Sequence, residues 1–166
     1  FEHPELIDAL IVADIAPVNY EHDFDELIEP MLELDLAKLQ SRAEADAALQ
    51  VSVANPGIRA FLLHNLHFDQ ALDQYSWRPN LRVLLDNVDE ITGFDRQRWD
   101  RYDGPALFIY GQRSDYVTAA NRKIIARHFS SASFHGLENA GHWLHAEQPR
   151  AFIKTCEAFL SNTHLF

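Results

Sequence analysis

The sequence predicts an α/β fold in which a parallel sheet is interrupted by a long helical insertion. Two short apolar runs without polar alternation, Asp8–Asp14 and Pro105–Gly111, are typical of strands buried on both faces of a parallel sheet. The acidic stretch between them, residues 20–103, has helical patterning and no run of that kind. After the second strand, a helix and a third strand complete a βαβ unit.

Turn residues bound the second strand most clearly, since it lies between Gly104 and Gly111. The first strand ends at Asp14, the first polar residue after its apolar run. A third strand is predicted over Ser131–Leu137, where His135 and Gly136 break the alternation. These three strands form the predicted sheet.

Two amphipathic helices accompany the sheet. Thr118 is a predicted N-cap for a helix that runs to about Phe129. A closing helix is predicted over Gln148–Leu160, with an apolar stripe that includes Ile153 and Cys156. The cysteine is therefore expected to be a small buried hydrophobic residue rather than a reactive thiol.

Helix start signals recur within the insertion. Ser41 and Glu44 have the spacing of a capping box, and Asn55-Pro56 places a cap residue before a proline at the first helical position. A further helix is predicted over Leu81–Ile91. The predicted organisation is a core of residues 1–19 and 104–166 and a helical insertion of residues 20–103.

Composition excludes several classes of protein. The 166 residues carry a formal net charge of −11, which disfavours binding to nucleic acid and to anionic membrane surfaces. No apolar run approaches the roughly 18 residues that a transmembrane helix needs. With a single cysteine the chain has no intrachain disulfide, and we expect a cytoplasmic location. It begins at Phe1 without the features of a signal peptide, so we expect it to start inside a longer protein.

His142 is the strongest candidate for a catalytic residue. It lies in the loop Asn139–Glu147, which directly follows the third strand, where open α/β sheets present functional groups. A histidine can take and return a proton near neutral pH, and a general base of this kind needs a carboxylate on its other ring nitrogen. Asp14 and Asp115 both follow strand ends, and their spacing alone does not choose between them.

A metal site is not expected. His64 and His67 are three residues apart on a predicted helix, but no Cys, Asp or Glu set with zinc-like spacing accompanies them. The chemistry expected for a base histidine and its carboxylate needs no cofactor.

Four segments together resemble a known family. They are the strand Pro105–Gly111, the loop Asn139–Glu147, the segment Asp8–Tyr20 and, in the insertion, Trp77–Asn80. This set is similar to the C-terminal part of an α/β-hydrolase, and more closely to small bacterial esterases of the YbfF type. The resemblance implies an α/β-hydrolase parallel sheet with an inserted helical cap.

The resemblance also implies a serine esterase or thioesterase that acts on small carboxylic esters or acyl thioesters, with His142 as the base. In most α/β-hydrolases the acid lies three residues after the glycine that here is Gly111; Ser114 occupies that position and Asp115 follows it. The YbfF-type branch places the acid at Asp14, which we favour over Asp115. Trp143, beside the base, is expected to contact the acyl group.

One expected element is missing, because the sequence contains no Gly-x-Ser-x-Gly motif. The family pattern places the nucleophile upstream of Phe1, so the expected partner is the N-terminal half of the same protein. We expect the chain alone to be inactive. We also expect it to associate through the exposed edge of its first strand, with the complementary half or with a second copy of itself. The rival interpretations are dehalogenase, epoxide hydrolase, C–C hydrolase or perhydrolase chemistry, or a noncatalytic assembly module.

Overall fold

The computed structural model describes residues 3–20, 24–94 and 101–163. The chain forms two compact units, one of Phe1–Asn19 with Phe94–Phe166 and one of Tyr20–Gly93. After a short 3-10 helix at Pro4–Leu6, the elements follow in the order β1 Leu10–Ala13, α1 Asp25–Glu33, α2 Arg42–Leu49, α3 Pro56–Leu63, β2 Leu66–Asp69, β3 Gln74–Trp77, α4 Leu81–Asp86, α5 Val88–Thr92, β4 Ala106–Gly111, α6 Ala119–His128, β5 Ala132–Leu137, α7 Leu144–Glu147 and α8 Pro149–Asn162.

The first unit is built on a three-stranded sheet of order β1-β4-β5, in which both neighbouring pairs are parallel. Ala106 at the start of the central strand pairs with Leu10 on one side and Ala132 on the other. The α/β fold class with a parallel sheet is therefore confirmed. All three strands expected from the sequence are present.

The central strand has an apolar layer on each face. Leu107 and Ile109 pack in a cluster with residues from β5, α7 and the loop between them. Phe108, on the opposite face, meets Phe129 and Phe134 at ring-centroid distances of 5.0 and 5.7 Å. Because both faces are covered, the strand has no polar alternation, which is why its sequence is a continuous apolar run.

The closing helix α8 buries a narrower stripe than the sequence predicts. Phe152, Cys156 and Phe159 pack against the cluster around β4, at the i, i+4, i+7 spacing of one helix face. Ile153 is 55% exposed, so its inclusion in the stripe is wrong. It lies one residue past Phe152, about 100° further round the helix, beyond the edge of the buried face.

The environment of Cys156 makes a prediction for its reactivity. Burial raises the pKa of this thiol, and the charge of Glu157 acts in the same direction. A raised pKa leaves less thiolate at pH 8, so alkylation by iodoacetamide is expected to be at least about tenfold slower in the native protein than in urea. Mass spectrometry of the peptide containing Cys156 measures both rates; equal rates would contradict the prediction.

Helix α6 joins β4 to β5 and begins where the sequence predicts. The Thr118 side chain accepts a hydrogen bond from the backbone N–H of Asn121 at 3.2 Å, an N-cap that satisfies one free donor of the first turn. Ile125 and His128, three positions apart on the helix, are both buried. This crossover brings β5 back parallel to β4.

The second unit contains helices α1 to α5 and a two-stranded antiparallel sheet of β2 and β3. The hairpin formed by β2 and β3 was not predicted from the sequence. Phe68 and Tyr75 face each other across it, with ring centroids 5.3 Å apart. Each strand is only four residues long and alternates apolar with polar residues, so it lacks the continuous apolar run that identifies a parallel strand.

The helix starts predicted in this unit are present, but one predicted helix is divided into two. Ser41 accepts a hydrogen bond from Glu44 N–H at 3.2 Å, and Asn55 caps α3. The single helix predicted over Leu81–Ile91 is instead two short helices, α4 and α5, because the backbone leaves the helical region at Asn87. In the ranges that the structure describes, no helix combines the length and apolarity that crossing a membrane requires.

Candidate active site

The carboxyl ends of β1, β4 and β5 lie side by side because the sheet is parallel throughout. Asp14 follows β1 directly, Ser114 lies in the loop after β4, and His142 lies in the loop after β5. The structure brings these three side chains together at one edge of the sheet.

His142 and Asp14 form the centre of the site. The Nδ1 atom of His142 lies 2.9 Å from Oδ2 of Asp14. The Asp14 side chain is completely buried, whereas 45% of the His142 side chain is exposed. The imidazole is thus tied to a buried carboxylate by one ring nitrogen while the ring remains reachable from solvent.

The buried Asp14 carboxylate has further hydrogen-bond donors besides the histidine. The backbone N–H of Gly111 donates to Oδ1 at 3.1 Å, and the hydroxyl of Ser114 donates to Oδ2 at 2.5 Å. A buried charge is costly unless it is hydrogen-bonded, and hydrogen bonds to an ionised acceptor are among the stronger ones. These donors hold the carboxylate in place beside His142.

The backbone of Asp14 is in the left-handed region, with φ of 49°. Non-glycine residues seldom adopt this conformation, although Asp tolerates it better than most, and such residues concentrate at functional sites. The Asp14 N–H still donates to the Ile109 carbonyl at 2.7 Å, so the turn begins while β1 is paired with β4. This turn comes directly after β1, and the Asp14 side chain at the turn accepts the hydrogen bond from the Gly111 N–H.

The structure distinguishes the two predicted carboxylates by position. Asp115 is exposed, and no hydrogen bond or ion pair in the described part of the chain joins it to His142. Ser114, the residue before it, is the one that reaches Asp14. The spacing of three residues after Gly111 was the sequence signal for Ser114, but sequence reasoning did not include it among the site residues.

A further contact that sequence reasoning missed is between Tyr116 and His142. The two rings are stacked, with centroids 4.0 Å apart and planes inclined by 21°. Burial raises the pKa of the Tyr116 phenol, and the negative charge of Asp14 raises it further. The phenol therefore stays neutral across the pH range in which a histidine transfers protons.

The loop that carries His142 is tied to its surroundings by Glu147 and Arg113. The Glu147 carboxylate accepts from the Gly141 N–H at 3.0 Å and from Arg113 at 3.1 Å. The Arg113 backbone N–H donates to the Ala140 carbonyl at 2.9 Å. The residues directly before His142 are therefore anchored both to α7 and to the loop after β4.

A family of known proteins matches the chain over most of its length. A sequence model described as the alpha/beta hydrolase family matches residues 6–155. The chain belongs to the α/β-hydrolase family. The fold and the resemblance predicted from its sequence are thereby confirmed.

Two curated proteins similar to this α/β-hydrolase chain are a lipase and an esterase. The mouse sn-1-specific diacylglycerol lipase ABHD11 is 34% identical over 166 residues, which cover 96% of the chain and 53% of the lipase. Esterase YbfF of Escherichia coli is 33% identical over 158 residues, which cover 95% of the chain and 59% of the esterase. The chain thus spans about half the length of the curated relatives it matches.

Solved structures show the same similarity. A structure described as a marine microorganism esterase superposes with a TM-score of 0.90 at 32% identity, covering 96% of this chain and 63% of that one. E-2-(acetamidomethylene)succinate hydrolase superposes with a TM-score of 0.68 at 15% identity and covers 96% of this chain and 60% of its own, which supports the fold alone.

The remaining predicted site residues of the α/β-hydrolase chain have these positions. Trp143, half-buried directly after His142, begins the turn into α7, and its contact with an acyl group stays a prediction. His64 follows the end of α3, and His67 lies in β2 within hydrogen-bond distance of Ser76. Within residues 3–20, 24–94 and 101–163, no group of three or more His, Cys, Asp or Glu side chains is placed to hold a metal ion.

Proposed function

We propose that the whole protein is a serine carboxylic ester hydrolase in which His142 is the general base and Asp14 its carboxylate partner. The observation that carries the proposal is the 2.9 Å contact between the buried Asp14 carboxylate and Nδ1 of the half-exposed His142. The substrates proposed are small acyl esters and thioesters. The named esterases and lipases among the relatives support hydrolysis of an ester bond.

The geometry suits a defined sequence of proton transfers. Asp14 accepts a hydrogen bond from Nδ1–H, which leaves the lone pair of Nε2 to take a proton. As the serine oxygen attacks the acyl carbon, its proton passes to Nε2 and the carbonyl bond pair moves onto oxygen. When the tetrahedral intermediate collapses, the same proton goes to the departing alkoxide or thiolate. Water then attacks the acyl-enzyme carbonyl and gives a proton to Nε2; the serine–acyl bond breaks, the proton passes to the serine oxygen, and the acid is released.

The nucleophile is proposed to come from a segment upstream of this chain. The 166 residues contain no Gly-x-Ser-x-Gly motif, and the curated relatives are about twice as long as the region they share with the chain. The same upstream segment would supply the oxyanion donors. The partner of this chain in catalysis is then the N-terminal half of the same protein, and the chain alone is inactive.

A fluorophosphonate probe, which forms a covalent bond with an activated serine, tests this proposal in the full-length protein. We expect labelling at one serine outside residues 1–166, located by tandem mass spectrometry, together with hydrolysis of p-nitrophenyl acetate. The His142→Ala variant should not be labelled on the time scale of the parent, because the base that activates the serine is gone.

Three results would contradict the proposal. Hydrolysis without labelling would indicate a nucleophile other than serine, such as the aspartate of dehalogenases and epoxide hydrolases. Undiminished labelling of the His142→Ala variant would exclude His142 as the base. Hydrolysis by the isolated chain would place a nucleophile within these residues.

A further inference from the structure

We propose that Tyr116 is a positioning residue that holds the imidazole of His142 in the orientation needed for proton transfer. The proposal rests on the esterase function proposed above, since it assigns Tyr116 a part in the same site. The phenol ring acts through its contact with His142.

The stacked geometry restricts the histidine in a way that its own torsions do not. Rotation of a histidine ring about χ2 has broad, shallow preferences, so contacts must set the ring plane. The Tyr116 ring covers one face of the imidazole at a centroid distance of 4.0 Å and an inclination of 21°. Turning the imidazole about χ2 would drive its edge into the phenol ring.

The stack and the Asp14 contact constrain His142 in complementary ways. The hydrogen bond to Asp14 restrains one edge of the ring, at Nδ1, but a single hydrogen bond tolerates some tilt of the ring plane within the χ1 and χ2 freedom of the side chain. Contact with Tyr116 over one face restricts that tilt. Such restraint matters here because His142 lies in a loop and 45% of its side chain is exposed.

Tyr116 is well placed to act as a fixed support. Its backbone N–H donates to the Ser114 hydroxyl at 3.3 Å, and its carbonyl accepts from the Asn121 side chain at 2.8 Å, near the start of α6. The phenol is half-buried. One residue is thus linked through Ser114 to the carboxylate and through its ring to the imidazole.

The stack also favours the charged intermediate of the reaction. During acyl transfer His142 carries two ring protons and a positive charge, and the face of an aromatic ring attracts a cation. Burial and the charge of Asp14 raise the pKa of Tyr116, so the ring remains a neutral phenol beside the imidazolium. The contact is therefore retained when the histidine is protonated.

Two variants of the full-length protein separate a positioning role from a structural one. Tyr116→Phe keeps the stacked ring and is expected to retain kcat within about twofold of the parent. Tyr116→Leu removes the ring and is expected to lower kcat for p-nitrophenyl acetate about tenfold with KM unchanged, since misplaced catalytic groups affect the chemical step.

NMR of the His142 ring protons provides a readout that does not depend on activity. In the parent and in Tyr116→Phe, these protons should show an upfield ring-current shift and nuclear Overhauser contacts to the aromatic ring at position 116. Both should be lost in Tyr116→Leu. If the parent lacks these signals, or if the leucine variant keeps the parent's kcat, the positioning role is excluded.

The NMR signature also separates this proposal from the proposed function. A parent protein that shows the ring contact but hydrolyses no ester would refute the esterase function and leave the stack as a structural contact. A parent that hydrolyses esters with equal kcat in all three forms would refute the role of Tyr116 alone. Should the leucine variant fail to fold, the ring-proton signals of the parent and the phenylalanine variant still decide whether the stack exists.

Discussion

Asp14→Asn is expected to lower kcat for ester hydrolysis by about 10⁴-fold, which is the scale of effect when the carboxylate of such a triad is converted to an amide. The cause is the histidine tautomer. The Asp14 carboxylate only accepts hydrogen bonds and therefore keeps the proton on Nδ1 of His142. An amide can donate to Nδ1 instead, which leaves the proton on Nε2, where it blocks the step that activates the nucleophile.

The substitution is nearly isosteric, so the effect on folding should be much smaller than the effect on the reaction. The Gly111 N–H can still donate to the amide oxygen, although the hydroxyl of Ser114 also needs an acceptor at this position. KM should stay within about threefold of the parent, because the lost interaction is made in the transition state. Steady-state kinetics of the full-length protein with p-nitrophenyl acetate measures both constants.

Asp115→Asn is the matched control, since it makes the same chemical change one residue beyond Ser114. Asp115 is exposed, and its variant is expected to stay within about twofold of the parent in kcat. The reverse pattern, a large loss at Asp115 with little effect at Asp14, would identify Asp115 as the acid. The contact seen between Asp14 and His142 would then be structural only.

The choice between Asp14 and Asp115 shows where sequence reasoning about the site stops. Both residues follow strands that end at the same edge of a parallel sheet, so their positions along the chain are equivalent. What separates them is the left-handed backbone at Asp14 and the hydrogen bond from Gly111 N–H. Neither of these two features can be recognised from the spacing of residues in the sequence, because Asp tolerates the left-handed conformation without requiring it.

The fold was more accessible to prediction, for a physical reason that differs between the two units. Strand β4 is a continuous apolar run because both of its faces are covered, and β1 is a shorter run of the same kind. Strand β5 is less regular, since Ser133 and His135 are exposed, and it was identified from its place after β4 and α6. Strands β2 and β3 belong to a short hairpin in which Phe68 and Tyr75 pair on one face and His67 and Ser76 on the other. Four alternating residues fit a loop or a helix end equally well, so this hairpin could not be identified from its pattern.

Contacts between loops could not be predicted either. The stack of Tyr116 on His142 joins residues from the loops after β4 and β5, and its geometry depends on how each loop turns. Sequence placed both loops at the same sheet edge but gave no information on which side chains meet. This is why the sequence identified His142 and Asp14 as candidates but not the ring beside them.

Gly111→Ala is the second substitution with a large expected effect, because the added methyl group would overlap with neighbouring backbone atoms. A Cβ built on Gly111 would lie 2.2 Å from the Gly141 carbonyl oxygen and 2.6 Å from that of Ala140. Both obstacles are backbone atoms of the loop that carries His142. They cannot move aside as a flexible side chain does, so the loop itself must shift.

Two measurable losses should follow from that shift. Overpacking at a buried position costs about 1–3 kcal/mol, and we expect the free energy of unfolding in urea to fall by about 3 kcal/mol. Displacement of His142 by even about 1 Å from Asp14 should lower kcat by about 10²-fold in the molecules that remain folded. Activity measured well below the unfolding midpoint separates the catalytic loss from the loss of stability.

Gly57→Ala is the matched control for this experiment. A Cβ on Gly57 meets only the Asn55 side-chain oxygen, at 3.2 Å, and the residue lies in the first turn of α3, where alanine is the better helix former. Its change in unfolding free energy should therefore be below about 1 kcal/mol. If Gly111→Ala were as mild as this control, the loop after β5 would have room to move away from β4. The close approach of Gly141 to Gly111 would then not be what sets the distance between His142 and Asp14.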